Sequence, residues 1–260
     1  MNAPADEVAF VTGAGSGIGA AVASRLAARG ASVALFDLSK SGVEATAVAI
    51  DAAGGRVLPL HGDVSDDGAV EQAVATTVAS FGALTTTVSC AGIAVTGTVL
   101  DTPVADWQHA LAVNLTGVFL TARHTIPQMI QSGGGVFTAI SSDAGVQAAE
   151  GFAAYCASKH GVVGLIRCLA LDHGPHGVRA NAVCPGFVET PMADQIFEGA
   201  SADVRQYYAS TVPLGRFAKP EEVAAAVAHL TSTEASYTNG LLYLIDGGAT
   251  AGYFEGARTR

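Results

Sequence analysis

The chain is short of charge. Only 14% of its 260 residues are Asp, Glu, Lys or Arg, against roughly 25% in typical soluble domains. So few charges point either to self-association, which hides part of the surface, or to one large parallel sheet buried on both faces. Basic residues are the scarcer sign. With 13 Lys and Arg against 23 Asp and Glu, the net charge is −10, and no chain-wide basic footprint for nucleic acid exists. Cysteine is scarce too. Cys90, Cys156, Cys168 and Cys184 form no CxxC pair and have no histidine at zinc-finger spacing. That excludes the usual metal motifs and suits reduced, mostly buried thiols. No apolar run reaches the roughly 18 residues of a spanning helix, and the opening MNAPADEVAF has neither the basic nor the apolar region of a signal peptide. The expectation is a cytoplasmic protein with no metal, no nucleic acid and no membrane among its partners. Repeats, low-complexity tracts and linkers are absent as well, so residues 1–260 read as a single domain.

What is present is an alternation. Short apolar, β-branched runs at Val8–Thr12, Ser32–Phe36, Arg56–Leu60, Leu84–Ser89, Gly135–Ser141, Val178–Cys184 and Leu241–Ile245 read as strands. The alanine-rich stretches 17–30, 39–53, 66–81, 103–131, 152–173 and 220–231 read as helices. Asp66 and Asp67 stand where an N-cap belongs, and Pro220 precedes Glu221 and Glu222 at a helix start, where carboxylates favour the positive end of the dipole. Strand and helix alternating throughout predict an α/β fold, a parallel sheet with helices on both faces. Residues 187–215 break the rhythm with Phe187, Met192, Ile196, Phe197, Tyr207 and Tyr208, and read as a substrate lid.

The run Thr12-Gly13-Ala14-Gly15-Ser16-Gly17-Ile18-Gly19 follows the first strand and opens the first helix. Glycines there permit a tight turn and close approach of a pyrophosphate, and the helix N-terminus supplies free N–H groups. Asp37 ends the second strand, 18 residues after Gly19. A carboxylate so placed can accept from both ribose hydroxyls and repels a 2′-phosphate; like charges about 4 Å apart cost on the order of 1 kcal/mol even in water. Ser16 and Leu38 are neutral and only Lys40 is basic nearby, so the expected cofactor is NAD.

Tyr155 and Lys159 lie four residues apart in Tyr155-Cys156-Ala157-Ser158-Lys159, on one face of a helix. A free phenol, with a pKa of about 10, is a poor base at neutral pH, and a nearby ammonium favours its phenolate. Such a tyrosine can take or return an alcohol proton. The spacing alone is common. Ser141-Ser142 at the end of the fifth strand, Asn114 in the preceding helix and Pro185-Gly186 at the end of the sixth strand converge on the same sheet edge.

With these residues in hand, the chain resembles the short-chain dehydrogenase/reductase family from Val8 to Gly248. The motifs are TGAGSGIG, Asp63-Val64, Ala91-Gly92, Asn114, the 13-residue step from Ser142 to Tyr155, YCASK, RANAVCPGFVETPM and Leu244-Ile245-Asp246-Gly247-Gly248. The resemblance implies a Rossmann-like, doubly wound seven-stranded sheet of order 3-2-1-4-5-6-7 and a homotetramer. It also implies catalytic roles: Tyr155 as acid/base, Lys159 on the nicotinamide ribose and depressing the tyrosine pKa, Ser142 on the substrate oxygen, and Asn114 holding a water that links Lys159 to solvent. For the cofactor it implies Gly13, Gly15, Ser16, Gly17, Ile18, Gly19, Asp37, Leu38, Asp63, Val64, Cys90, Ala91 and Gly92. Asn114, Tyr155, Lys159, Pro185, Gly186, Val188, Thr190 and Met192 complete that set. The family usually has Asn-Ala-Gly where this chain has Cys90-Ala91-Gly92. A thiol bonds hydrogen weakly, which puts local rigidity in question rather than chemistry. Cys156 is expected to pack in the core.

Substrate contacts implied by the resemblance are Ser142, Tyr155, Ala94, Thr96, Ala144, Val146, Gln147, Phe152, Phe187, Met192, Ile196 and Tyr207. None is cationic, and an unpartnered buried carboxylate would be costly. The expected substrate is a neutral, rather apolar secondary alcohol or its ketone. A cyclic compound or a diol is left open, since Thr96 and Gln147 could bind a second oxygen. Two other readings stand beside it. A 3-oxoacyl thioester reductase would more naturally use NADP and a basic docking patch. A non-catalytic nicotinamide-dinucleotide sensor would usually lack the Tyr or the Lys.

Overall fold

The computed structural model describes residues 7–199 and 201–254. Residues 1–6, which include most of the segment inspected for a signal peptide, residue 200 of the expected lid, and 255–260 lie outside the described residues. Seven strands, β1 (Val8–Thr12), β2 (Ser32–Asp37), β3 (Arg56–His61), β4 (Thr86–Ser89), β5 (Gly135–Ile140), β6 (Val178–Pro185) and β7 (Leu242–Ile245), form one sheet. Its order is β3-β2-β1-β4-β5-β6-β7, and every pairing is parallel. Helices α1 (Gly17–Ala28), α2 (Lys40–Ala52), α3 (Asp67–Phe81), α4 (Val104–Leu111), α5 (Gly117–Gln131), α6 (Ala153–His173) and α9 (Pro220–Leu230) alternate with the strands. The expected fold class and strand order are both observed.

Burial along each strand follows its place in the sheet. All of β1 and β4 is buried, whereas the edge strands β3 and β7 are not, because a central strand of a doubly wound sheet is covered on both faces. Separate apolar clusters form the two covered faces, one around Leu26, Val33, Leu35 and Val227, others around Phe137, Ile166 and Val162 and around Phe10, Phe36 and Leu84. The punctuation read from the sequence holds: Asp66 caps α3 by accepting from Ala69 N at 3.1 Å, and Glu222 accepts from Lys219 N at 2.8 Å in the first turn of α9.

One expectation needs correction. The helix expected over 103–131 is not continuous: a π turn, Ala112–Thr116, separates α4 from α5 and carries Asn114. An extra residue in a turn leaves periodicity nearly intact, so the apolar pattern did not reveal it. The segment 187–215, expected to be a lid, contains two helices, α7 (Pro191–Ile196) and α8 (Ala202–Thr211). Its seat is an aromatic cluster in which Phe187 lies 5.0 Å from Phe217 and 5.4 Å from Tyr208, and Phe197 lies 5.2 Å from Tyr208, centroid to centroid. Among the described residues no helix is long and apolar enough to cross a membrane.

Candidate active site

The strand order reverses between β1 and β4, and a crevice opens there beyond the C-terminal ends of the strands, where such sheets bind ligands. Its walls include Gly13, Ser16, Gly17, Ile18, Gly19, Asp37, Leu38, Asp63, Val64, Cys90, Ala91 and Gly92. The glycines are required by space. A Cβ on Gly19 would stand 2.0 Å from Gly13 O, and one on Gly13, whose φ is +65°, would stand 2.7 Å from Ala91 N. A Cβ on Gly15 would meet Asp37 Cγ at 2.9 Å. Only glycine fits at these three positions, and the turn leads into the N-terminus of α1. The residues present therefore fit the pyrophosphate of a dinucleotide.

Asp37 is fixed at the end of β2. Its Oδ2 accepts from Gly15 N at 2.8 Å and its Oδ1 from Ser39 N at 2.7 Å. Each oxygen keeps a lone pair for a ribose hydroxyl. The one basic neighbour named above, Lys40, is well exposed and lies 4.0 Å from Glu44. Asp63 holds the turn after β3 by accepting from Ser65 N and Oγ at 2.8 and 2.7 Å. The doubt about Cys90 is answered by Thr12, whose Oγ1 accepts from Cys90 N and Ala91 N, both at 3.2 Å. This loop is tied to β1 without any contribution from the side chain at position 90. His109 also lines the crevice; no motif singled it out.

A second cavity of about 870 Å³, counting solvent at its mouth, adjoins the first and shares Ile18, Cys90, Gly92, Thr190 and Met192 with it. Ser142, Tyr155, Lys159, Pro185, Gly186 and Val188 line it. Each comes from the C-terminal end of a strand, the loop after it, or α6. Thr190 caps α7 by accepting from Ala193 N at 3.3 Å, which lays that helix across both cavities. Of the expected substrate residues, Ala144, Phe152, Phe187, Met192 and Ile196 line the second cavity, and Ala94, Thr96, Val146, Gln147 and Tyr207 are not among its walls. Gln147, Thr96 and Tyr207 are exposed. After β5, where Val146 and Gln147 lie, it is Ser142, Asp143, Ala144, Ala149 and Phe152 that line the cavity.

The sequence reading missed Asp143. It lines the second cavity, and its Oδ1 accepts from Ser142 Oγ at 2.8 Å and Ala144 N at 2.7 Å. Burial and the nearby Asp246 push its carboxyl above the ordinary range, and the bonds from Ser142 and Ala144 oppose them. A serine followed by an acid at a strand end was the available signal.

Lys159 is 3% exposed, and its Nζ donates to Ile140 O at 3.0 Å. Burial pushes the ammonium down to about 8 and pushes the Tyr155 phenol up to about 12, with Ser142 opposing the latter. The ammonium lies 5.6 Å from the ring centroid and is turned to a backbone carbonyl.

Asn114 is wholly buried behind this wall. Its Oδ1 accepts from Ile93 N at 2.8 Å, and its Nδ2 donates to Ile93 O at 2.9 Å and Ser158 Oγ at 3.0 Å. The π turn is what swings the amide out of helical register to meet that strand-end loop. A Cβ on Gly92 would stand 3.2 Å from Asn114 Oδ1 and 3.4 Å from Lys159 Nζ, so both face one small space beside this glycine. Of the four thiols, Cys156 and Cys184 are buried, Cys90 is partly buried and Cys168 is exposed.

A family model described as enoyl-(acyl carrier protein) reductase matches residues 13–250. Meso-2,3-butanediol dehydrogenase of Serratia marcescens is 39% identical over 246 residues, covering 95% of each chain. Cis-4-hydroxycyclohexanecarboxylate dehydrogenase of Sinomonas cyclohexanicum is 41% identical over 248 residues, 95% of this chain and 98% of that one. Among solved structures, levodione reductase superposes with a TM-score of 0.92 at 36% identity, covering 95% of this chain and 99% of that one. A variant of actinorhodin polyketide ketoreductase with NADPH gives 0.91 at 34% identity, covering 96% and 99%.

Proposed function

The chain belongs to the short-chain dehydrogenase/reductase family, and on that premise we propose that it is an NAD-dependent oxidoreductase interconverting a neutral, rather apolar secondary alcohol and its ketone, a class that includes cyclic alcohols and diols. The observation that carries the reading is the meeting of Ser142, Tyr155 and Lys159 in one apolar cavity that opens into the glycine-lined crevice.

A bound nicotinamide supplies the two-electron acceptor or donor. The chain's own residues handle the proton and the geometry. Tyr155 gives its hydroxyl proton to a ketone oxygen on reduction and takes the carbinol proton on oxidation. Ser142 holds the same oxygen. Lys159 is the cation available to favour the phenolate against burial. The space bounded by Gly92, Asn114 Oδ1 and Lys159 Nζ supports a relay water from Lys159 toward solvent. α7 acts as the lid.

For the cofactor, Asp37 supports NAD: its carboxylate is pinned by two backbone N–H groups and cannot swing away from a 2′-phosphate. For the substrate, Asp143 supports neutrality. The Sinomonas relative is named for a carboxylate-bearing ring, whereas Lys159 is, among the described residues, the one cation lining this cavity and Asp143 would repel an anion. An apolar β7 edge, with Leu241, Tyr243 and Leu244 each between 37% and 41% exposed, supports self-association of the kind a homotetramer needs.

The test is a panel of neutral diols, cyclic alcohols and their ketones, with a 3-oxoacyl thioester as competitor, followed by absorbance of the reduced cofactor. NAD should exceed NADP in kcat/KM, and Tyr155→Phe should lose at least about a hundredfold in turnover. Near-wild-type turnover of Tyr155→Phe refutes the proton role. Preference for NADP and the thioester refutes the cofactor and substrate classes.

A further inference from the structure

The Ser142–Asp143 pair has hydrogen bonds that the proton transfer at Tyr155 does not use. Ser142 Oγ donates to Asp143 Oδ1 at 2.8 Å and accepts from Ala144 N at 3.1 Å. The same N–H donates to Asp143 Oδ1 at 2.7 Å. A competing acceptor for the serine proton, Pro185 O, lies farther off at 3.5 Å. A serine hydroxyl has one proton and two lone pairs. With the proton on the carboxylate and one lone pair on Ala144 N–H, Ser142 has a lone pair left for the cavity and no proton. An alcohol can donate to that lone pair. A ketone oxygen has no proton and needs a donor.

Once Asp143 is protonated, the assignment reverses. A carboxyl is itself a donor, so it can turn its proton to Ser142 Oγ and release the serine proton toward the cavity. A ketone oxygen is then the better partner. We propose that Asp143 is a positioning residue that sets, through Ser142, which oxidation state of the substrate the site binds: ionised, it favours the alcohol; protonated, it favours the ketone. This rests on the reading of the cavity as an alcohol–ketone centre.

The groups facing Asp143 are Asp246 beyond β7, Cys184 on β6 and Tyr155 on α6, with Lys159 one turn further along α6. Burial and Asp246 raise the carboxyl, so the exchange falls above the ordinary carboxylate range. Asp246 itself stays ionised, held down by bonds from Gly248 N, Thr250 N and Thr250 Oγ1.

The experiment measures KM and kcat for one alcohol and its ketone across pH, for wild type, Asp143→Asn and Asp143→Ala. In wild type, the ratio of ketone KM to alcohol KM should rise about tenfold as Asp143 ionises, the size of one hydrogen bond gained or lost. Oxidation of the alcohol releases a proton, so the apparent equilibrium constant itself rises tenfold per pH unit; the KM ratios of wild type and variants are therefore compared at each pH, where that constant is common to all, and there the kcat ratio must move the other way. Asp143→Asn keeps an acceptor oxygen but does not titrate, so its ratio should stay flat and favour the alcohol. Asp143→Ala releases the serine proton and should favour the ketone at every pH. A flat ratio in wild type, a titrating ratio in Asp143→Asn, or no shift in Asp143→Ala overturns the proposal.

If the variants do not fold, carboxyl carbon-13 titration of Ser142→Ala against wild type decides. Loss of the serine donor should raise the Asp143 pKa, and an unmoved pKa overturns the proposal. Tyr155→Phe is run alongside. Retained turnover there would fail the underlying reading while leaving the Ser142–Asp143 coupling to be judged by the carboxyl titration.

Discussion

Replacing Asn114 with alanine tests whether the π turn exists to aim one amide. The side chain is wholly buried and makes three hydrogen bonds, two to the backbone of Ile93 and one to Ser158 Oγ. Alanine removes all three. Ser158 Oγ still donates to Tyr155 O at 2.7 Å, so its loss is small. Ile93 N–H and C=O lose their partners, and each unsatisfied buried group costs about 1–3 kcal/mol. Ile93 is partly exposed, so water can reach one of the two groups, and the expected net cost is about 3 kcal/mol. For a chain of this size that lowers Tm by roughly 6–12 °C. Thermal unfolding read by circular dichroism measures it, and amide exchange at Ile93 localises it, since the freed N–H should exchange faster than in wild type. An unchanged Tm together with unchanged Ile93 exchange would refute the claim that the amide holds this loop.

Gly92→Ala should cut turnover by about tenfold or more, because the new Cβ fills the space between Asn114 Oδ1 and Lys159 Nζ; wild-type turnover would show that no relay needs this space. Lys159 carries its charge below about 8 and loses it above, while Tyr155 keeps its proton to about 12, so kcat/KM for a ketone should fall as pH rises through about 8, approaching tenfold per unit; a ketone pH–rate profile flat across it would contradict a role for the ammonium. Glu7→Ala should destabilise by about 3–5 kcal/mol, because it strands the Arg29 guanidinium, whose side chain is 7% exposed, without its carboxylate; urea unfolding with an unchanged midpoint would exclude a structural role for this pair.

The legible part of the site was the part made of glycines, strand ends and fixed helical steps. The Gly13–Gly19 turn, Asp37 and the Tyr155–Lys159 pair could be placed because a strand-turn-helix has one geometry and α6 has a fixed rise. The substrate wall was less legible. Ala144, Phe152, Phe187 and Ile196 were expected and line the cavity, but Thr96 and Gln147 do not. Loops have no period, so neighbours in sequence give no direction for a side chain. The surroundings of the Tyr155–Lys159 pair were not legible for a related reason: helical spacing measures separation along α6, not how deeply its neighbours bury the phenol or which carbonyl captures the ammonium.

By itself, the order of residues determined the seven alternating strands and helices, the parallel sheet, the dinucleotide turn and the acid at the end of β2. These follow from local periodicity and from conformations that only glycine adopts cheaply. Only the tertiary structure decided that Asn114 leaves the helix through a π turn, that Thr12 takes over the loop at Cys90, and that Asp143 shares the cavity with Ser142 and Tyr155. Each of these depends on a partner brought from a distant strand or loop. Such a partner's position is set by the packing of the whole sheet, not by the residues beside it in the chain.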